Sequence, residues 1–270
     1  MNNSGRDLIQ EDETIEDLGR CGYRLIQTKD GFRFGEDTVL LAHFAATMIR
    51  RRKGMSYVLE LGAGCGAASI LLSARRPDVR IDGIELPGRA ADVFARNIRL
   101  NHLEDKVRCF AGDLRQAEKE YPAEIRGGSY HSVFCNPPFF VLGSGPSYTN
   151  ASVLSGRAAA RSEQNGTMDD FIAAAGRFLV PKGDLILVQR AGRLTDVIES
   201  MMRARIAPRY IRFVHPKRES SAKLVLVSGQ KHASSGGLRI VPPLILYEDS
   251  QRTEELLRIY LEEDGSCYIS

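Results

Sequence analysis

The stretch VLELGAGCGAAS, residues 58–69, joins a short apolar strand pattern to a helical one through Gly62, Gly64 and Gly66. Glycines there let the backbone turn tightly and approach a ligand closely. The rest of the chain repeats the strand-then-helix theme. Strand patterns at MSYVLEL (Met55 to Leu61), VRIDGIEL, KVRCFAGDL, SYHSVFCN and VPKGDLILVQR alternate with helical patterns at AASILLSARR, RAADVFARNIRLN, TMDDFIAAAGRFL and LTDVIESMMRAR. IRFVHP and KLVLVSG follow as two further strands, the last pairing antiparallel. Such alternation predicts an α/β fold with a seven-stranded, mostly parallel sheet covered by helices on both faces. Ligands of such sheets sit beyond the carboxyl ends of the strands. That rule places Glu60, Glu85, Asp113 and Asn136 on one rim. Thr167 is the expected N-cap of its helix.

Ahead of the alternation, YRLIQTKDGFRF reads as a hairpin turning at Asp30-Gly31. EDTVLLAHFAATMIRR then reads as a helix with Asp37 near its start. The expected organisation is a flexible acidic N-terminus over 1–20, a hairpin and helix over 21–54 and the main domain over 55–270. A Gly/Ser/Ala-rich loop over 141–166 is expected to form a substrate-side lid. The composition, 43% hydrophobic and 26% charged, is that of a soluble globular protein. No apolar run approaches the ~18 residues of a membrane span, and the N-terminus has no apolar signal core. The five cysteines are scattered without a CxxC pair, which argues against zinc and against a disulfide framework. Reduced thiols in the cytoplasm fit that pattern. Between Arg190 and Arg239 the only acids are Asp196, Glu199 and Glu219 among many basic residues. Such a surface suits phosphates, or is simply a solvated face.

The acids on the rim narrow the ligand. Glu60 lies two residues before the first glycine, where it would repel a pyrophosphate but suit a cationic amino acid group. Glu85 can accept from two ribose hydroxyls. Asp113, in GDL, can accept from an adenine amino group beside the backbone N–H of Leu114. Taken in order, these describe a pocket for S-adenosylmethionine. Cys65 reads as a structural filler of the turn. Past the fourth strand comes CNPPFF. The side-chain oxygen of Asn136 and the carbonyl of Pro137 can accept both hydrogens of a planar amino group. Pro137 and Pro138 stiffen the backbone that carries these acceptors. Phe139 offers a face on which a base can stack.

With those residues in view, ELGAGCG, GIEL, GDL and NPPF resemble class I, Rossmann-like methyltransferases acting on planar amino nitrogens. GFRFGEDTVLLAHFA, ARNIRLNHL, AARSEQNGTMDDFI, HPK and PPLILY are similar to segments of the bacterial tRNA(Val) adenine-N6 methyltransferases. The resemblance runs from about Gly22 to about Tyr260. It implies methylation of an adenine N6 in a tRNA, next to the anticodon of a valine tRNA. The cofactor contacts it implies are Phe34, Asp37, Glu60, Gly62, Ala63, Gly64, Glu85, Leu86, Asp113, Leu114 and Asn136. Phe34 and Asp37 would close over the cofactor. Asn136, Pro137, Pro138 and Phe139 would hold the target base, and Arg161 and Lys217 would meet the substrate. No metal and no membrane are expected, and the chain is expected to be a monomer or a homodimer.

Other readings stay open on sequence. NPPF also occurs in rRNA guanine-N2 and protein glutamine-N5 methyltransferases. A nicotinamide oxidoreductase would share the glycines but predicts neither Glu60 nor NPPF. A non-catalytic RNA-binding protein predicts loss of Asn136 or of the glycines.

Overall fold

The computed structural model describes residues 8–29, 34–139, 166–234 and 236–261. Its central strands are β3 (Ser56–Leu61), β4 (Val79–Glu85), β5 (Val107–Ala111), β6 (Tyr130–Cys135), β7 (Leu179–Arg190), β8 (Ile206–His215) and β9 (Leu224–Lys231). They lie in the order β8-β9-β7-β6-β3-β4-β5. β3 through β7 pair in parallel, and β9 is antiparallel to both β7 and β8. The expected seven strands are therefore present with the last one reversed. Two short strands, β10 (Arg239–Ile240) and β11 (Leu244–Ile245), add to the outer edge of β8.

Two-residue periodicity sorts each strand's side chains between two cores. Val58, Ile186 and Val188 join one core with helices α1 (Glu36–Met48) and α2 (Ala67–Arg75) and with Phe94 of α3 (Arg89–Leu100). Leu59, Leu61, Leu185 and Leu187 join the other. There they meet Phe171 and Phe178 of a helix spanning Met168–Phe178 and Met201 of one spanning Leu194–Arg203. With α4 (Ala117–Glu120) counted between, these two helices are α5 and α6. A fully buried strand such as β7 needs apolar residues at consecutive positions, and Leu185 through Val188 are all 0% exposed. Thr167 caps α5 as expected. Its Oγ1 accepts from the Asp170 N–H at 3.2 Å, while Asp170 Oδ2 accepts from the Thr167 N–H at 2.8 Å.

The N-terminal region departs from the sequence expectation. Residues 30–33, where the turn at Asp30-Gly31 was expected, lie outside the described residues. β2 (Arg24–Thr28) pairs instead with β1 (Glu13–Asp17), inside the segment expected to be a flexible terminus. Two contacts hold this hairpin on α3. Arg96 donates to both oxygens of Glu13, at 2.6 and 2.7 Å, and both residues are buried. Asn97 and Asn101, one helical turn apart, treat β2 as a neighbouring strand would. The carboxamide of Asn97 accepts from the N–H of Ile26 and donates to its C=O. Asn101 does the same for Arg24. The remaining elements are β12 (Tyr247–Glu248), β13 (Gln251–Arg252) and α7 (Glu254–Leu261).

The Arg96 guanidinium holds the Glu13 carboxyl down to about 2, against an ordinary value of 4.5. A depressed carboxyl stabilises the fold above its unfolded value and loses that contribution as pH falls through its folded value. The contribution of Glu13 is therefore complete above about pH 4.5 and gone near pH 2. Glu13→Gln is expected to cost roughly 3 kcal/mol at neutral pH and to flatten the stability curve across that acid window. Urea unfolding at several pH values measures both effects.

Candidate active site

Parallel register brings the predicted residues to one edge. Leu61 is level with Ile84 of β4 and Cys135 of β6, and Glu85 is level with Ala111 of β5. The segments that follow, at Gly62, Leu86, Gly112 and Asn136, therefore leave the sheet side by side. Gly62, Gly64 and Gly66 all have positive φ, at +66°, +56° and +81°. Two of them are also closed in by aromatic rings. A Cβ on Gly62 would lie 2.7 Å from the Phe171 ring, and one on Gly66 would overlap Phe94. Gly64 differs: among the described residues nothing lies within 4 Å of where its Cβ would stand. The turn is wedged at both ends and open in its middle.

Around that opening the acids have distinct states. Glu60 is buried and accepts from the Ser69 hydroxyl of α2. Burial pushes its carboxyl up to about 8. Glu85 Oε2 accepts from the N–H of Gly64 at 2.7 Å. Burial raises its pKa, and the Gly64 and Leu86 N–H groups partly oppose that rise. Ala63 is buried, and its N–H is tied to the Ile84 carbonyl at 3.1 Å. Asp113 is engaged, unlike the free acceptor expected from sequence. Arg115 reaches both its oxygens, with Nε at 2.9 Å from Oδ1 and Nη2 at 2.5 Å from Oδ2, and holds its pKa down. The Arg115 side chain is 41% exposed, so a ligand competes only against a weak surface pair. The carbonyl of Leu114 accepts from Arg177 at 3.1 Å. Burial pushes the Cys65 thiol up to about 11, consistent with a structural role.

The NPPF segment is held from two sides. Asn136 Nδ2 donates to Asp37 Oδ2 at 2.8 Å. A carboxylate can only accept, so this contact fixes which end of the amide faces it. The other end, Asn136 Oδ1, is buried and has no hydrogen-bond partner among the described residues. From β7, Gln189 Nε2 reaches the Pro138 carbonyl at 3.4 Å, and Gln189 Oε1 accepts from the Arg190 N–H at 2.9 Å. The Arg190 guanidinium lies 5.7 Å from the centroid of the Phe139 ring, within cation–π range. Phe34 donates its N–H to the Gln27 side chain at 3.0 Å and packs on the first core beside α1. Lys217 is exposed in the turn after β8. Val214 is level with Leu224, and Leu224 with Arg190, so that turn lies past the same rim. Arg161 and residues 140–165, most of the expected lid, fall outside the described residues.

Sequence reasoning missed Asp37 as the partner of Asn136, and Gln189 and Arg190 as supports of the motif. It also missed the phenylalanines under the glycines. Among the described residues no group of three or more His, Cys, Asp or Glu is placed to hold a metal ion. Among them, too, no helix is long and apolar enough to cross a membrane.

The sequence model of the methyltransferase small domain family matches residues 36–205. The chain is 29% identical over 171 residues to the tRNA1(Val) (adenine(37)-N6)-methyltransferase of Porphyromonas gingivalis, covering 63% of this chain and 64% of that protein. It is 31% identical over 167 residues to the Aeromonas hydrophila protein of the same name, covering 62% and 63%. The matches thus span less than two thirds of these relatives. Among solved structures, a predicted O-methyltransferase from Agrobacterium tumefaciens superposes with a TM-score of 0.64 at 22% identity, over 83% of this chain and 95% of that one. M. jannaschii TYW2 in complex with AdoMet gives 0.53 at 15% identity, over 82% and 86%. These likenesses show the class I, Rossmann-like fold.

The residues present fit S-adenosylmethionine, the cofactor of this class. The turn is open at Gly64, and among the described residues no cation stands beside the buried Glu60 to lower its pKa. Gly64→Ala is expected to leave the fold intact within about 1 kcal/mol while weakening binding of S-adenosylhomocysteine. Gly66→Ala, which collides with Phe94, is expected to lower the melting temperature instead; thermal melts with and without ligand separate the two. Glu60 is mostly protonated at pH 7, and a cation beside it lowers its pKa. Cofactor binding near neutral pH is therefore expected to release a proton, and Glu60→Gln to abolish the release. Calorimetry in buffers of different ionisation enthalpy detects it.

Proposed function

Because the chain belongs to the methyltransferase small domain family, we propose that it methylates the N6 amino group of an adenine in tRNA, beside the anticodon of a valine tRNA. The observation that carries this reading is the buried, unpartnered Oδ1 of Asn136, oriented by Asp37 at the rim that also carries the glycine turn. Support for the substrate comes from the names of the relatives and from the basic residues past the same rim, Lys217 and Lys223 among them. A cytoplasmic location follows from a tRNA substrate.

When bound, S-adenosylmethionine supplies an electrophilic methyl group on a sulfonium. The chain's own residues prepare the acceptor. An exocyclic amine conjugated to a ring is a poor nucleophile because its lone pair is delocalised. Asn136 Oδ1 accepts one amino hydrogen and the Pro137 carbonyl the other, which draws electron density back onto nitrogen. Phe139 offers one ring face to the base, while Arg190 covers the ring from elsewhere. Glu60 faces the ammonium end of the donor, with the Gly62–Ala63–Gly64 backbone beside it. Glu85 and Leu86 take the ribose, and Asp113 and Leu114 the adenine. No strong base is needed, since the nitrogen loses its proton only after methylation makes it acidic. Positioning is the main contribution. Phe34 and Arg161 complete the proposed contacts with cofactor and substrate.

The bond from Asn136 supports a different part for Asp37 from the one the sequence suggested. Asp37 is proposed to act through Asn136, not on the cofactor. Asp37→Ala lets the amide turn over and is expected to lower kcat about a hundredfold, with methyl donor affinity within about threefold. Asp37→Asn keeps an acceptor and restores part of kcat. An equal loss of donor affinity would return Asp37 to the cofactor. Asn136→Ala is expected to cost a factor of 100 to 1000 in kcat, roughly that of losing one oriented polar contact to the reacting group. The direct assay incubates the protein with labelled methyl donor and total tRNA. Label in N6-methyladenosine supports the proposal, and label in guanosine or in protein overturns the substrate.

A further inference from the structure

A second concave site lies on the opposite edge of the sheet. Helix α1 starts at the candidate active site with Asp37 and runs about 20 Å across one face. Beyond its last turn opens a cavity of about 560 Å³. The positions that line it mark the reverse rim: Asp184 in β7 is level with Gln230 near the end of the reversed strand β9, and Arg209 lies early in β8. Five arginines line this cavity, Arg50, Arg51, Arg75, Arg76 and Arg209, against one carboxylate, Asp184.

The hydrogen bonds of these arginines show how much charge is left over. Arg50 pairs with Asp184 at 2.9 Å, and Arg76 pairs with Asp78 through both oxygens. Arg75 and Arg209 are bonded to neutral carbonyls: Arg75 to those of Leu71 and Ile259, Arg209 to those of Ser234 and Gly236. Carbonyls satisfy donors but cancel no charge. Arg51 is exposed and makes no ion pair within 4.0 Å among the described residues. Three guanidiniums are thus left without a carboxylate of their own. Arg75 is 5% exposed, and its Nε is buried without a hydrogen-bond partner among the described residues. A buried cation whose donors are incompletely used is costly unless an anion approaches. Low-dielectric walls around like charges also focus the field into the concavity.

We propose that this reverse-rim cavity binds a phosphorylated ligand of nucleotide size, with Arg51, Arg75 and Arg209 as its charge and Tyr210 as an aromatic wall. The volume falls in the range of small-ligand sites, and guanidinium forks match phosphate oxygens. The phosphate comes either from a free nucleotide or from the backbone of a bound RNA. The site is independent of the methyl-transfer reading, because its test needs no turnover.

Full-length protein, wild type, Arg51→Glu and Arg209→Ala, is titrated at physiological ionic strength with inorganic pyrophosphate, a nucleoside triphosphate and tRNA. S-adenosylhomocysteine affinity serves as the control that the fold and the first site are intact. For a free nucleotide, triphosphate binding is expected to weaken about tenfold in each variant, with S-adenosylhomocysteine unaffected. For an RNA phosphate, tRNA binding weakens instead, and its dependence on salt drops by about one charge per variant. Absence of binding by all three probes overturns the proposal, as does binding equal in wild type and both variants.

Discussion

Parallel register is the constraint on which the candidate site depends. A single strand end can present one or two groups. Here four adjacent strands stop level with one another, and the residues after them meet although they are far apart in sequence. The glycine turn then decides how near a ligand comes. Its outer glycines are pressed against Phe171 and Phe94, so the middle of the turn is held open from behind. Phe94 also lies beneath Gly83 in β4. One ring thus sets the spacing between the turn and the neighbouring strand.

The hydrogen bond between Asp37 and Asn136 links two parts of the chain with separate histories in the fold. Asp37 belongs to the first turn of α1, and Asn136 to the end of β6. A lone asparagine amide can present either nitrogen or oxygen to a substrate, at little difference in energy. The neighbouring carboxylate removes that ambiguity. Gln189 supports the same motif from β7, where full burial leaves its amide few alternative partners.

The sheet was readable because buried parallel strands leave apolar runs, unbroken from Leu185 to Val188 and interrupted only by Glu60 from Val58 to Leu61. The cap at Thr167 was readable because Asp170 follows at the spacing of a capping box. The acids fall at or near strand ends: Glu85 ends β4, Glu60 stands one residue before the end of β3, and Asp113 two residues past β5. Pairing between particular side chains was not readable. Nothing local announces that Arg115 covers Asp113, since a two-residue contact on a surface turn has no periodicity. The strand β1, reading ETIED, is too charged to announce itself, so its pairing with β2 was not legible. Its burial of Glu13 depends on Arg96, more than eighty residues away. Family likeness carried the tRNA reading further than residue chemistry alone, because NPPF constrains the acceptor atom and says nothing of the molecule around it.

The two carboxamides of α3 have a mechanical side. Asn97 does not stop at β2: its Nδ2 also donates to the carbonyl of Cys65, inside the glycine turn, at 2.9 Å. One side chain thus ties β2 to the glycine turn. Lifting the N-terminal hairpin off the body would slacken that turn, and reshaping the turn would pull on the hairpin. A segment that looks like peripheral trim is in this way strung to the part of the molecule where the fit has to be closest.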